Sequence, residues 1–192
     1  MSDLPALSHP RVGVLAVQGA FAEHADALRA VGAEPAEVRL PGDLEGLDGL
    51  VIPGGESTTL GLVAGRSGLL EALRAAVGGG LPVLGTCAGM IVLARATACG
   101  EDQPLVGGMD IVVRRNAFGR QVASFEADLD MPVVGPEPLR AVFIRAPWIE
   151  SAGPGVEVLA TWGGHPVAAR EDGALGMAVH TGQTPARRVH RQ

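Results

Sequence analysis

The sequence predicts an α/β domain with a mainly parallel sheet covered on both faces, plus an antiparallel portion. In the first half of the chain, short strands alternate with helices. The strands are near-continuous apolar runs, such as residues 12–17, which is typical of strands buried on both faces of a sheet. The second half changes to short strands separated by Gly and Pro turns, which favours antiparallel pairing. With 47% hydrophobic residues in 192, the chain can bury one full core, so a single domain over residues 1–192 is expected, beginning with an N-terminal arm at 1–10.

The individual elements follow from periodicity and from Gly and Pro breaks. Phe21, Ala25, Leu28 and Val31 have helical spacing, and this helix should end near Gly32. The remaining predicted helices cover 69–77 and 90–96. Strands are predicted in the first half at 12–17, 36–40, 50–52 and 81–84, and in the second half at 110–113, 121–127, 139–144, 156–161, 167–170 and 174–179.

Composition excludes several classes of function. The net charge is −6 and the basic residues are scattered, so nucleic acid is not expected as a partner. All 15 basic residues are Arg, and without lysine the chain can form neither a side-chain Schiff base nor a P-loop. Two cysteines suit neither a disulfide framework nor a zinc site, and neither a signal peptide nor a membrane span is apparent. We therefore expect a cytoplasmic protein with no metal and no cofactor.

The segment Gly85-Thr-Cys-Ala-Gly89 has the plan of a nucleophile elbow, with Cys87 between a strand and a helix. The start of the helix should lower the pKa of the thiol, and the Ala88 amide could donate to a developing oxyanion. The alternative is a buried structural cysteine. Cys99 has no such context and should be inert.

A second segment, Pro53-Gly-Gly-Glu-Ser-Thr58, follows another predicted strand. The carboxyl ends of parallel strands are where ligands bind, so Glu56 or Ser57 could contact a polar substrate there. The Gly55 amide could point at an anion or oxyanion. The alternative is an ordinary turn in which Ser57 caps the next helix.

A cysteine nucleophile needs a base, and His180 is the best candidate among five histidines. It ends a predicted strand and would reach the same rim as Cys87 if the strands are parallel. His9 stands in the N-terminal arm and His24 in a predicted helix. His165 follows a Gly-Gly turn, and His190 is near the C-terminus.

These motifs resemble those of class I, triad-type glutamine amidotransferases. More narrowly, three segments resemble the glutaminase subunit of pyridoxal 5'-phosphate synthase: Leu15-Ala-Val-Gln-Gly-Ala-Phe-x-Glu-His24, Arg115-Asn-Ala-Phe-Gly-Arg-Gln121 and Phe143-Ile-Arg-Ala-Pro147. The similarity covers residues 12–190. It implies a flavodoxin-like, three-layer α/β fold.

The resemblance also implies an activity and a set of site residues. Cys87 would form a thioester with L-glutamine, and His180 would be its base. Gly55 and Ala88 would form the oxyanion hole. The substrate contacts would be Gly55, Glu56, Ser57, Arg115, Ile144 and Arg145. Arg115 suits the α-carboxylate and Glu56 the α-ammonium. The ammonia would pass to the synthase (lyase) subunit as partner, whose imine chemistry requires lysines.

The chain departs from that family at the third triad position. The family has a glutamate two residues after the histidine, where this sequence has Gly182, and the C-terminal tail at 185–192 is shorter. The absent carboxylate leaves two alternatives to a fully active subunit: a weakened glutaminase, or a non-catalytic docking subunit. A stand-alone cysteine hydrolase is disfavoured by the subfamily motifs. Glu171 and Asp172 are expected at the opposite end of the His180 strand, about 17 Å away, too far to replace the glutamate.

Overall fold

The structure is a computed structural model that describes residues 9–100, 102–118, 124–180 and 189, with only the backbone of Cys99. Within these residues the helices are α1 (Phe21–Ala30), α2 (Ser57–Arg66), α3 (Leu69–Gly78) and α4 (Ala88–Leu93). The strands are β1 (Arg11–Leu15), β2 (Glu34–Val38), β3 (Gly49–Ile52), β4 (Val83–Thr86), β5 (Ala94–Thr97), β6 (Met109–Arg114), β7 (Ser124–Leu129), β8 (Leu139–Ile144), β9 (Trp148–Ala152), β10 (Glu157–Trp162), β11 (His165–Glu171) and β12 (Ala174–Met177). Short 3₁₀ turns occupy Pro41–Leu44 and Ala98–Gly100.

The central sheet is mostly parallel. Over the described residues its strand order is β10-β11-β12-β4-β3-β1-β2. The five strands β2, β1, β3, β4 and β12 pair in parallel, whereas β11 and β10 add an antiparallel edge. The order β2-β1-β3-β4-β12 is the flavodoxin-like order 2-1-3-4-5, with β12 in the fifth position. The predicted α/β fold with a mainly parallel sheet and an added antiparallel portion is confirmed.

The central parallel strands are buried, whereas the edge strand β2 has one buried residue. All four residues of β3 and of β4 are buried, and Val14 and Leu15 of β1 are also in the core. Helix α1 contacts β1 and β2, and α4 contacts β3, β4 and β12. The apolar runs in the sequence therefore correspond to the centre of the sheet.

Two smaller sheets contain the remaining five strands. Strands β5, β6 and β9 form one sheet, and β7 with β8 forms an antiparallel hairpin. The helix predicted over 90–96 is wrong in its last turn, because α4 ends at Leu93 and Ala94–Thr97 pairs with β6 as β5. Pairing of β5 and β9 with β6 is long-range, so the local sequence did not predict either strand. The first three residues of the strand predicted at 121–127 lie outside the described residues.

The parallel topology brings several loops to one edge. Gln18, Gly54 and Cys87 follow the carboxyl ends of β1, β3 and β4, and His180 lies beyond β12. The strand order reverses between β1 and β3, which is where ligands bind in open α/β sheets. None of the described helices is long and apolar enough to cross a membrane.

Candidate active site

Cys87 occupies a tight turn between β4 and α4. Its backbone has φ 49° and ψ −104°, a strained conformation for a residue with a side chain. The Cys87 amide donates to the Met177 carbonyl on β12 at 2.7 Å, which fixes the turn to the neighbouring strand. A Cβ on Gly89 would collide with the Ile52 carbonyl, so this glycine allows α4 to approach β3. The structure thus has the elbow geometry that the motif predicts.

His180 lies against the same elbow. Its amide donates to the Val142 carbonyl at 2.9 Å, an isolated bridge that ties the end of the β12 segment to β8. A Cβ built on Gly54 would lie 2.8 Å from His180 Cε1, 3.1 Å from Nδ1 and 3.5 Å from Cys87 Cβ. Both side chains therefore border the space beside Gly54 that a Cβ would fill. The structure brings together the nucleophile and the base that the sequence predicts.

The protonation states favour a neutral pair at rest. Burial raises the pKa of the Cys87 thiol to about 11, although a hydrogen bond from the Ala88 amide and the charge of Arg145 oppose it. Burial also lowers the pKa of His180, so its imidazole is neutral and can accept a proton at neutral pH. The expectation that the start of α4 makes the thiol acidic is wrong in its net direction, because desolvation of the buried sulfur outweighs the amide.

The glycine loop after β3 leads into α2. Glu56, not Ser57, caps this helix: its Oε1 accepts from the Thr58 amide at 3.1 Å and its Oε2 from the Thr59 amide at 2.7 Å. The Thr59 hydroxyl also donates to Oε2, and Arg115 Nη2 donates to Oε1 at 2.9 Å. Although burial opposes ionisation, the bonds from Thr59 and Thr58 and the charge of Arg115 hold the pKa of Glu56 at about 2. Four protein donors thus occupy this carboxylate, about as many as it can accept.

Arg115 and Arg145 lie on two turns at the same rim. Arg115 follows β6, and Arg145 follows β8 with φ 44°. The Ala117 amide donates to the Ala146 carbonyl at 3.0 Å, which joins the two turns. The Arg145 charge acts on the Cys87 thiol, while Arg115 acts on Glu56. Ile144, half-buried, ends β8 beside Arg145.

Two polar residues at this site were not predicted as site residues. Gln18 Oε1 accepts from the Glu56 amide at 3.0 Å and occupies the space that a Cβ on Gly55 would take. Gln103, which is 8% exposed, accepts from the hydroxyls of Ser57 at 3.1 Å and Thr58 at 3.0 Å. Gln18 could have been found, since it is a polar residue directly after the first parallel strand. Nothing local distinguishes Gln103.

The other expected residues divide into those that the structure describes and those that it does not. His9 is exposed, His165 stacks on Trp148, and the buried His24 bonds the hydroxyl of Thr86, the residue before Cys87, at 3.1 Å. Gly182, His190 and the side chain of Cys99 lie outside the described residues. Within the described residues, no side chain hydrogen-bonds to the His180 ring. Glu171 instead accepts from the Asp110 amide, at the amino-terminal end of β12. The described residues contain no group of His, Cys, Asp and Glu suited to a metal ion.

A cysteine on a strand–helix elbow with a histidine across the same strand edge defines a class, the α/β enzymes that use a cysteine nucleophile. Comparison with known proteins specifies the family. The model of the SNO glutamine amidotransferase family matches residues 14–191, and the chain belongs to this family. It is therefore a glutamine amidotransferase, and the family resemblance of its motifs is confirmed.

Curated relatives and a solved structure agree with this assignment. The chain is 58% identical to the pyridoxal 5'-phosphate synthase subunit PdxT of Frankia alni, over 96% of this chain and 94% of the relative. It is 59% identical to the protein of the same name from Pelotomaculum thermopropionicum, over 94% of this chain and 92% of the relative. A crystal structure of a glutamine amidotransferase superposes with a TM-score of 0.89 and 47% identity, covering 94% of this chain and 95% of that one. None of these matches supports the non-catalytic alternative.

Proposed function

We propose that this chain is the glutaminase subunit of a pyridoxal 5'-phosphate synthase. It hydrolyses L-glutamine to glutamate and ammonia and passes the ammonia to a lyase subunit, for vitamin B6 biosynthesis in the cytoplasm. The observation that carries the proposal is that the side chains of Cys87 and His180 both lie beside Gly54. The identity to relatives named as subunits of that synthase supports the choice of partner.

The proposed reaction begins with the neutral thiol–imidazole pair. As Cys87 attacks the side-chain amide carbon of glutamine, its proton moves to His180. The carbonyl oxygen becomes an oxyanion, which the amides of Gly55 and Ala88 stabilise. His180 returns the proton to the amide nitrogen and the C–N bond breaks. Ammonia departs, and the glutamyl group remains bound to Cys87 as a thioester. A water, deprotonated by His180, then hydrolyses the thioester and releases glutamate.

The substrate contacts in this proposal surround the same edge of the sheet. Arg115 binds the α-carboxylate, and Ile144 and Arg145 complete the wall at the end of β8. Gly55, Glu56 and Ser57 form the loop under the substrate. Because protein donors already occupy the Glu56 carboxylate, we assign it an electrostatic role toward the α-ammonium, together with the orientation of Arg115.

The resting pair also explains why the subunit should be slow alone. A buried thiol with a pKa of about 11 is almost fully protonated at neutral pH, so it attacks only when the proton transfer is aligned. A partner that orders the active site would supply this alignment and prevent waste of ammonia. The weakened-enzyme alternative follows from Gly182, since a missing carboxylate removes one means of orienting the imidazole.

The test is the release of ammonia from glutamine by the full chain, with and without the lyase subunit, together with sizing of the mixture. We expect a heteromeric complex and a large increase in rate on association. A fully active enzyme that ignores the partner would contradict the assigned partnership. Absence of ammonia release from an assembled complex would instead favour a docking subunit.

A further inference from the structure

We propose that Thr58 and Gln103 position Arg115 for the substrate carboxylate, so that they set the affinity for glutamine without touching it. The inference rests on the proposed function, in which Arg115 holds the α-carboxylate. Arg115 Nη1 donates to the Thr58 hydroxyl at 3.2 Å, and the Thr58 hydroxyl donates to Gln103 Oε1 at 3.0 Å. The three residues form a hydrogen-bonded chain from the rim to the interior.

Gln103 is the fixed end of this chain because its loop packs against three helices. Gly61 of α2 has no side chain, and a Cβ there would collide with the Pro104 carbonyl. Arg74 of α3 donates to the Leu105 carbonyl at 2.9 Å from Nε and at 2.6 Å from Nη2. The Val106 amide donates to the Val92 carbonyl of α4 at 2.7 Å. The loop therefore holds the Gln103 amide at one place beneath the start of α2.

Each hydrogen bond in the chain has a distinct donor and acceptor. A guanidinium only donates, so the Thr58 oxygen accepts from Arg115, and the Thr58 hydroxyl in turn donates to Gln103 Oε1. The Ser57 hydroxyl, 3.1 Å away, donates to the same oxygen. Among the described residues Gln103 Nε2 is buried without a partner. Gln103 thus acts as an acceptor, and the hydroxyl of Thr58 transmits its position to Arg115.

Arg115 is held from two directions as a result. Thr58 binds Nη1, while Glu56, itself fixed as the cap of α2, binds Nη2 at 2.9 Å. The Arg115 side chain is 22% exposed, so its position depends on these partners as well as on solvent. Removing the Thr58 hydroxyl would remove the hydrogen bond at Nη1 and keep the bond from Nη2 to Glu56, so the guanidinium would be oriented less closely.

The experiment compares Thr58→Val with Thr58→Ser in the full chain assembled with the lyase subunit. Valine keeps the β-branched shape and the backbone cap but has no hydroxyl, whereas serine keeps the hydroxyl. Thr161→Val, the same substitution at an exposed site on β10, is the matched control. KM and kcat for glutamine are measured in each variant, and the Kd for glutamine is measured by calorimetry in a Cys87→Ala background.

For Thr58→Val we expect KM and Kd to rise about tenfold, the effect of one hydrogen bond to a charged donor, with kcat nearly unchanged. Thr58→Ser and Thr161→Val should resemble the parent chain. Gln103→Met should raise Kd in the same direction, and combining it with Thr58→Val should add little, because both act through one chain of bonds.

An unchanged Kd in Thr58→Val, or a Thr58→Ser variant as weak as Thr58→Val, would overturn the inference. A loss of kcat and thermal stability at constant Kd would also overturn it, since that pattern indicates a purely structural role. If the parent complex binds glutamine but releases no ammonia, the proposed function fails while Kd still tests the positioning. If the Cys87→Ala chain binds no glutamine, both fail.

Discussion

Gly54→Ala should displace the catalytic base while leaving the fold intact. The new methyl carbon would lie 2.8 Å from His180 Cε1, whereas ordinary contact begins at 3.4 Å, so the ring must retreat by about 0.6 Å. Cys87 Cβ, at 3.5 Å, is already at an ordinary contact distance and can stay. His180 is only half-buried, so it can move at little cost in stability.

Such a displacement of the His180 ring would misalign the proton transfer from the Cys87 thiol to the imidazole. Misplacing a reacting group by about 1 Å can cost 100-fold in rate, so we expect kcat for glutamine hydrolysis to fall by about 30- to 100-fold. This corresponds to about 2 to 3 kcal/mol in the barrier. The rate is measured as ammonia release by the complex with the lyase subunit, and folding is followed by thermal unfolding.

Gly65→Ala is the matched control. Gly65 lies on the exposed side of α2 with no atom within 4 Å of an added Cβ, so alanine should stabilise the helix by up to about 1 kcal/mol and leave the rate unchanged. The reasoning would be refuted if a folded Gly54→Ala chain kept nearly the full rate. It would also be refuted if Gly65→Ala lost activity to the same extent.

Three further predictions concern the thiol and the imidazole. Cys87→Ala should abolish glutamine hydrolysis, and Cys99→Ala should leave it nearly intact. The labelled cysteine is identified by mass spectrometry after reaction with a glutamine-analogue electrophile, and labelling of Cys99 would contradict this prediction. In a Cys99→Ala background, the alkylation rate of Cys87 by iodoacetamide should still rise about tenfold per pH unit above pH 9, because its pKa lies near 11 rather than at the ordinary 9.0. A plateau at or below pH 9, like that of a free thiol measured in parallel, would show that the thiolate is stabilised after all. If a carboxylate can orient the His180 ring, Gly182→Glu should raise the hydrolysis rate, most strongly near the pKa of His180. No gain in rate in a folded variant would mean that another group already orients the ring.

Much of the architecture was predictable because its signals are local. A strand buried on both faces requires an unbroken apolar run, and β3 and β4 show this directly in the sequence. The elbow at Cys87 requires small neighbours within two residues, so it was also visible. His180 could be selected because parallel strands place their carboxyl ends at one edge.

The errors occurred where local pattern and long-range pairing disagree. Residues 94–96 continue an apolar helical run, but pairing with β6 draws Ala94–Thr97 into a strand. Strand β9 contains Trp148 and the charged Glu150 and gives a weak alternating signal, yet it pairs with β6 across the fold. In both cases tertiary contacts outweigh the intrinsic preference of a short segment.

The sequence by itself determined the kind of chemistry: a cysteine on a strand–helix turn, a histidine at the same edge, and a chain without lysine. Tertiary structure decided the protonation state of the Cys87 thiol and the side-chain contacts that hold the site in place. The resting thiol is protonated because the folded chain removes the sulfur from water, and burial is a property of the packed molecule rather than of neighbouring residues. The contact between Ser57 and Gln103 joins residues 46 positions apart, and only the packing of the Gln103 loop against α2 brings them together.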